Sequence, residues 1–198
     1  MKALMSPPVK LLMLALALVA LASPARATDI WDELADSDGL VILYRHALAP
    51  GGGDPANFDV DDCATQRNLS PAGRRQAVRM GRQLRTRDIP VHGVISSPWC
   101  RSRDTARLMR VGKVREMSRL GSVFQSPDRT AQRRERATLK LLRRHADRDG
   151  VLVLVGHQAN IIDLTGIAPT SGEGVVVRYD PDSGGVEVLG RVPAPPTS

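Results

Sequence analysis

Aromatic side chains are scarce in this 198-residue chain: two Trp, two Tyr and two Phe, 3% of the sequence. No nucleic-acid-binding motif accompanies its basic residues, so nucleic acid is not expected as a partner. Cysteine is limited to Cys63 and Cys100, neither with a neighbour at metal-ligand spacing, so no metal is expected. No Gly-x-Gly-x-x-Gly or Gly-x-x-x-x-Gly-Lys-Ser/Thr occurs, so the nucleotide-binding folds lose their fingerprint. Ser97 lies in no Gly-x-Ser-x-Gly pattern, which removes the serine-hydrolase elbow. There is no internal repeat. The longest apolar run, Leu11 to Ala22, is short for a membrane span.

That run follows Lys2 and Lys10 and precedes Ala25-Arg26-Ala27, the layout of a cleavable secretory signal. We therefore expect a signal peptide over 1–27, one domain over 28–192 and a disordered Pro-rich tail over 193–198. The product would be exported, periplasmic or secreted, with no stable membrane anchor after cleavage. Loss of Lys2, Lys10 and Arg26 takes Lys+Arg from 28 to 25 against 21 acidic residues, a net +4. Ten of the arginines fall in two helical clusters, Arg74–Arg85 and Arg133–Arg144, whose ordinary role is a solvated face. The remaining field mildly favours anionic substrates. Two cysteines in an exported chain are expected to pair, which would tie the loop after the first strand to the segment at Cys100.

The chain is organised around Gly39-Leu-Val-Ile-Leu-Tyr-Arg45-His46. Leu40 to Leu43 reads as a strand buried on both faces, and it delivers an arginine and a histidine at its carboxyl end. Val91 to Ile95 is a second strand, ending in Ser96-Ser97-Pro98-Trp99-Cys100-Arg101, and Val151 to Val155 a third, ending in Gly156-His157. Val114 to Leu120 reads as an edge strand. Ser70 and Pro71 cap a helix with the small inner stripe Gly73, Ala77, Met80, Gly81 and Leu84. Further helices are expected at Thr28–Asp38, through Asp104–Leu108 and from Asp128 or Thr130, with a brief helical turn at Ala159–Leu164. Gly174–Tyr179 and Val186–Val192 pair as a hairpin. Strand and helix alternate, which predicts an α/β fold with a mostly parallel sheet and a C-terminal antiparallel hairpin.

In such sheets ligands bind beyond the carboxyl ends of the strands. Three strand ends would bring two histidines and two arginines to one rim, a set suited to a dianionic oxyanion. A neutral imidazole there can attack phosphorus if its far nitrogen is held by a hydrogen bond. Trp99 is expected as a wall of the pocket, and His92 and His145 as structural or surface residues.

Tyr44-Arg45-His46, Leu69-Ser70-x-x-Gly73-x-x-Gln76-Ala77, Ser97-Pro98-x-x-Arg101-x-x-x-Thr105-Ala106 and Gly156-His157 occur in that order. Together they resemble the histidine phosphatase superfamily, also called phosphoglycerate-mutase-like. The resemblance runs from about Gly39 to Leu164 and implies a three-layer α/β/α sandwich. It implies that His46 is the nucleophile that becomes phosphorylated and that Arg45 and Arg101 clamp the phosphate. His157 would bind it and stabilise the transition state, with Arg67 as a further phosphate contact. No cofactor is implied.

The departures from the family pattern matter too. The glycine expected after Arg-His is Ala47. The loop Gly121–Pro127 holds no carboxylate, and Gln158 follows the second histidine where another branch has an acid. Asp128 and Asp104 are the remaining candidates for general acid, neither at a recognised position. A phosphatase without a strong acid favours leaving groups that need little protonation. The expected activity is hydrolysis of phosphate monoesters, on a phosphorylated small molecule or a phosphorylated envelope glycan. One alternative is a catalytically weak module that binds a phosphate ligand or envelope glycan. Another is a redox-regulated site in which opening Cys63–Cys100 moves Arg101.

Overall fold

The computed structural model describes residues 29–198, so the expected signal segment 1–27 lies outside them. Six strands form one sheet: β1 Val41–Arg45, β2 Val91–Ser96, β3 Val114–Glu116, β4 Val151–Gly156, β5 Gly174–Tyr179 and β6 Val186–Val192. Their order is β3-β2-β4-β1-β5-β6. The pairs β2–β3, β2–β4 and β1–β4 are parallel, and β1–β5 and β5–β6 antiparallel. The expected mostly parallel sheet with a terminal hairpin is thus the observed one. Among the described residues no helix is long and apolar enough to cross a membrane.

The two central strands show why this sequence makes a three-layer sandwich. In β4 every residue from Val151 to Val155 is buried, and the pleat sorts them by face. Val151, Val153 and Val155 join Leu40, Ile42 and Tyr44 on one side, while Leu152 and Leu154 join Val41 and Leu43 on the other. A strand with two apolar faces requires a helix layer over each. The first face is covered by α1 Ile30–Asp36, α2 Pro71–Arg85 and α3 Cys100–Met109, the second by α4 Asp128–His145 and α5 Gln158–Thr165.

The small stripe of α2 sets how closely the helices pack. Gly73, Ala77, Met80, Gly81 and Leu84 are all buried, as their spacing predicts, and Gln76 joins them. A Cβ on Gly81 would overlap the carbonyl of Met109 at the end of α3, so only glycine permits this approach. The Ser70 side chain caps α2 by accepting from the Gly73 N–H at 3.0 Å.

Two expectations are corrected. The strand read over Val114 to Leu120 stops at Glu116, and Ser118–Leu120 makes a 3-10 turn. With β2 as its only neighbour, the segment has little to hold it extended, and Leu120 instead buries in the face beneath α4. Helix α3, Cys100–Met109, runs through Asp104–Leu108 as expected, and its first N–H, that of Cys100, is satisfied by Gln66 Oε1 at 2.9 Å. The tail 193–198, expected to be disordered, lies along α2. Gln76 donates to the Pro195 carbonyl at 3.0 Å, Gln83 to Pro193 at 3.3 Å, and Arg79 to Pro196 at 3.2 Å.

Candidate active site

The register of the parallel strands aligns the three ends. Arg45 lies opposite Gly156, and Ser96 opposite Val155. One residue further on, His46 N–H donates to the Gly156 carbonyl at 3.0 Å and Ser97 N–H to that of Val155 at 2.9 Å. His46, Ser97 and His157 therefore leave the sheet in a row. The imidazole centroids of His46 and His157 are 5.7 Å apart, edge to face.

His46 is buried, and its Nδ1 sits 2.8 Å from the carbonyl oxygen of Ala47. A carbonyl only accepts, so Nδ1 carries the proton and Nε2 presents a lone pair. Burial pushes the imidazole down to about 3, and the guanidiniums of Arg101, Arg67 and Arg45 push the same way against the Ala47 bond. The ring is neutral at ordinary pH. Ala47 is not among the residues with positive φ, so the change from the family's glycine carries no backbone strain. Its N–H donates to Thr105 Oγ1 at 3.0 Å, and that hydroxyl donates to the Arg101 carbonyl at 2.7 Å, joining the strand end to α3.

Arg101 is 3% exposed; four of its five donors make up two forks, and Nη1 also donates to the Arg67 carbonyl at 3.4 Å. The end-on fork holds Asp54: Nη1 to Oδ1 at 2.6 Å and Nη2 to Oδ2 at 3.0 Å. The Nε–H points at Nε2 of His46 across 3.2 Å. Asp54 also accepts from Trp99 Nε1 at 3.1 Å and from the Arg67 backbone N–H at 3.2 Å. Partial burial would raise its carboxyl, but the bonds and charge of Arg101, with these two donors, hold it below the ordinary carboxylate value.

His157 is equally buried. Ser97 Oγ lies 2.8 Å from its Nε2 and also accepts from the Trp99 N–H. In the tautomer in which that hydroxyl donates to Nε2, Nδ1 carries the ring proton; Nδ1 is buried and has no partner among the described residues. Burial, then the neighbouring His46 and the cations Arg101, Arg67 and Arg134, set its pKa well below the ordinary value. Arg45 donates through Nη1 to the Pro169 carbonyl at 3.1 Å, while its Nε–H is a second buried donor without a partner. Gln158 donates to the same carbonyl at 3.0 Å. Arg67 spends its Nε–H on the Gly53 carbonyl at 2.9 Å and an Nη1 hydrogen on that of Ala49. Burial, and then like-charged neighbours, lower both Arg45 and Arg67.

All five expected residues, His46, His157, Arg45, Arg101 and Arg67, line one cleft of about 570 Å³. The two acid candidates do not. Asp104 pairs with Arg74 at 2.9 Å, and Asp128 is exposed at the start of α4. Asp54 is the carboxylate that lines the cleft, and reading the sequence did not find it. Asp54, Asp59, Asp61 and Asp62 share one irregular loop, and only the position after three glycines, where the backbone can fold back, marks Asp54 out. Cys63 and Cys100 form a disulfide, fastening this loop to the first residue of α3. Arg103 donates to both sulfurs.

A three-layer α/β/α sandwich with two histidines and three arginines gathered beyond its parallel strands has the phosphoglycerate-mutase-like fold. The family model of the histidine phosphatase superfamily (branch 1) matches residues 41–121, so the resemblance carried by the motifs holds. Among solved structures, the protein histidine phosphatase SixA complexed with tungstate is similar at TM-score 0.56 and 16% identity, over 77% of this chain and 96% of that one. Phosphoserine phosphatase from Entamoeba histolytica, in complex with 3-phosphoglyceric acid, is similar at 0.57 and 15%, over 78% and 96%. Mycobacterial glucosyl-3-phosphoglycerate phosphatase is similar at 0.50 and 18%, over 70% and 89%. At these identities the likeness is one of fold. No curated protein matches by sequence.

Proposed function

We infer that the protein is an exported phosphatase that hydrolyses phosphate monoesters through a phosphohistidine on His46. The observation that carries this reading is the set of groups that line one cleft. They are Nε2 of His46, which accepts from the Nε–H of Arg101, and two buried atoms without a partner among the described residues, Arg45 Nε and His157 Nδ1. Buried donors without acceptors are costly, and an oxyanion that accepts from them removes that cost.

In the forward step, Nε2 of His46 attacks phosphorus in line. The P–Nε2 bond forms as the bond to the leaving oxygen breaks, and that oxygen departs with the electron pair and takes a proton from water. Arg45, Arg101 and His157 hold the three remaining oxygens as charge spreads over them. Water then attacks phosphorus, the P–Nε2 bond breaks, and orthophosphate and neutral His46 are regenerated. Asp54 occupies the end-on fork of Arg101, so the phosphate takes the side-on fork, whose Nε–H exchanges its bond to His46 Nε2 for one to a phosphate oxygen. Held ionised by that pairing, Asp54 does not supply the leaving-group proton.

The disulfide fits an oxidising compartment, and the N-terminal pattern points to export. The cleft falls in the size range of small-molecule sites, roughly 300–1,000 Å³, which favours a phosphorylated metabolite or glycan over a folded protein. A second reading, a binding module with weak turnover, draws on the pairing of the cleft's carboxylate with Arg101. Hydrolysis of 4-nitrophenyl phosphate separates the two, because its good leaving group needs no acid. We expect turnover by the parent, an acid-labile phosphoenzyme on rapid quench, and neither in His46→Ala. Equal rates in parent and variant would exclude His46 as nucleophile.

A further inference from the structure

The phosphate site takes up only the inner end of the cleft. Outside it the chain concentrates what it otherwise lacks: both of its phenylalanines and one of its two tryptophans line the same opening. The ring of Trp99 stands edge-on to His157 at 5.3 Å, and Phe58 stacks on Trp99 at 5.3 Å with planes 21° apart. Phe124 and Ile162, two of the large apolar side chains the surface leaves exposed, complete the mouth, Phe124 at 58% exposure. Grouped exposed apolar side chains in a concave site mark a contact surface.

Charge supplies a second, independent observation. Arg101 is neutralised by Asp54, but Arg45, Arg67 and Arg134 line the cleft and form no ion pair among the described residues. A phosphate monoester dianion balances two of these three. Arg134 is the outermost: its guanidinium carbon lies 5.7 Å from the Trp99 ring centroid, and its one hydrogen bond among the described residues goes to the Ser122 carbonyl. Gly121 keeps this pair in place, since a Cβ there would lie 2.5 Å from Trp99 and 3.0 Å from Arg134.

Resting on the phosphatase reading, we propose that Trp99, Phe58, Phe124 and Arg134 form a leaving-group subsite. It selects phosphate monoesters whose leaving group has a flat or CH-rich face and a second negative charge. Such a face stacks on an indole whether it belongs to an aromatic ring or to a pyranose, and the guanidinium fork of Arg134 matches a carboxylate or second phosphate.

The test uses two matched pairs: 4-carboxyphenyl against 4-carbamoylphenyl phosphate, and glucuronic acid 1-phosphate against glucose 1-phosphate. The parent is expected to favour the anionic member of at least one pair by about tenfold in kcat/KM, the usual scale of one charge-assisted contact. The pair with the higher kcat/KM tells whether the natural face is aryl or sugar. In Arg134→Gln that preference falls towards one. Phe124→Ala, at an exposed position that folding does not depend on, is expected to raise KM about fivefold for both members of the favoured pair, leaving their ratio intact. Turnover without anion preference, or a preference that survives Arg134→Gln, overturns the subsite and leaves the phosphatase reading standing. Unchanged KM in Phe124→Ala overturns its stacking half. No turnover of any of the four overturns the phosphatase reading, and the subsite with it.

Discussion

The Nε of Arg101 lies 3.2 Å from Nε2 of His46, so the proposed clamp and the proposed nucleophile meet on one edge of one guanidinium. The end-on fork of that guanidinium is held by both oxygens of Asp54, which fixes the direction in which the side-on fork points. An ammonium offers no second fork. Arg101→Lys is therefore expected to lower kcat for 4-nitrophenyl phosphate by about 10²–10³, the cost of one preorganised donor at an oxyanion. Single-turnover rapid quench should place the loss in formation of the phosphoenzyme. A kcat within threefold of the parent would show that Arg101 does not touch the phosphate.

In the proposed mechanism Asp54 acts through Arg101 rather than on substrate, and a leaving-group series distinguishes the two roles. A positioning residue affects every substrate alike, whereas a proton donor matters more as the leaving group becomes more basic. Across nitrophenyl, phenyl and alkyl phosphates, Asp54→Asn should lose kcat/KM by a similar factor, about tenfold. The parent itself should decline steeply from nitrophenyl to alkyl. If the loss in Asp54→Asn grows along the series and the parent's slope is shallow, Asp54 is the general acid.

The parts of this molecule that were legible beforehand are those that local pattern controls. The apolar runs Leu40–Leu43 and Val151–Val155 have few alternatives to buried strands, and a parallel sheet brings their ends together wherever the loops go. His46, His157, Arg45 and Arg101 follow directly from that. Asp54 did not, because its role depends on how an irregular loop between Pro50 and Asn68 folds back, and nothing periodic governs that path. The tail was misread because a run of prolines has no donors of its own, yet its carbonyls accept from Gln76, Arg79 and Gln83 on α2.

The Cys63–Cys100 bond closes a loop of 37 residues that carries Arg67, anchored at its far end one residue from Arg101. Loop-closure entropy of that length corresponds to about 4 kcal/mol, within a usual range of about 2–5 kcal/mol. Cys63→Ser/Cys100→Ser should unfold at correspondingly lower urea. Released from α3, the loop should also bind phosphate less well, raising KM for 4-nitrophenyl phosphate several-fold. Dithiothreitol should do the same to the parent and nothing to the double variant. A parent indifferent to reduction, with two thiols then titratable, would remove the bond from both stability and function.

The two site histidines predict opposite things about acid for activity and for stability. Burial and the surrounding guanidiniums hold His46 neutral down to about 3, and His157 well below its ordinary value. In the unfolded chain both protonate near 6.5. Between those limits the unfolded state binds more protons, so stability is intact above about 6.5 and falls as the solution is acidified towards 3. Each histidine contributes up to about 1.4 kcal/mol per pH unit in that window. Carboxylates add to the parent's decline, so the informative quantity is the difference from His46→Asn, which keeps a donor for the Ala47 carbonyl. The variant should lose stability less steeply than the parent below pH 6, by about that amount per unit, in urea titrations. Catalysis behaves otherwise, because kcat/KM reports the free enzyme and free substrate. With His46 neutral throughout, its acid limb should follow the second ionisation of the phosphate, near pH 6, and move when a substrate of different phosphate pKa is used. A limb fixed near 6.5 for every substrate, together with parallel stability slopes in parent and His46→Asn, would mean that the ring titrates as in water and that the site is open to it.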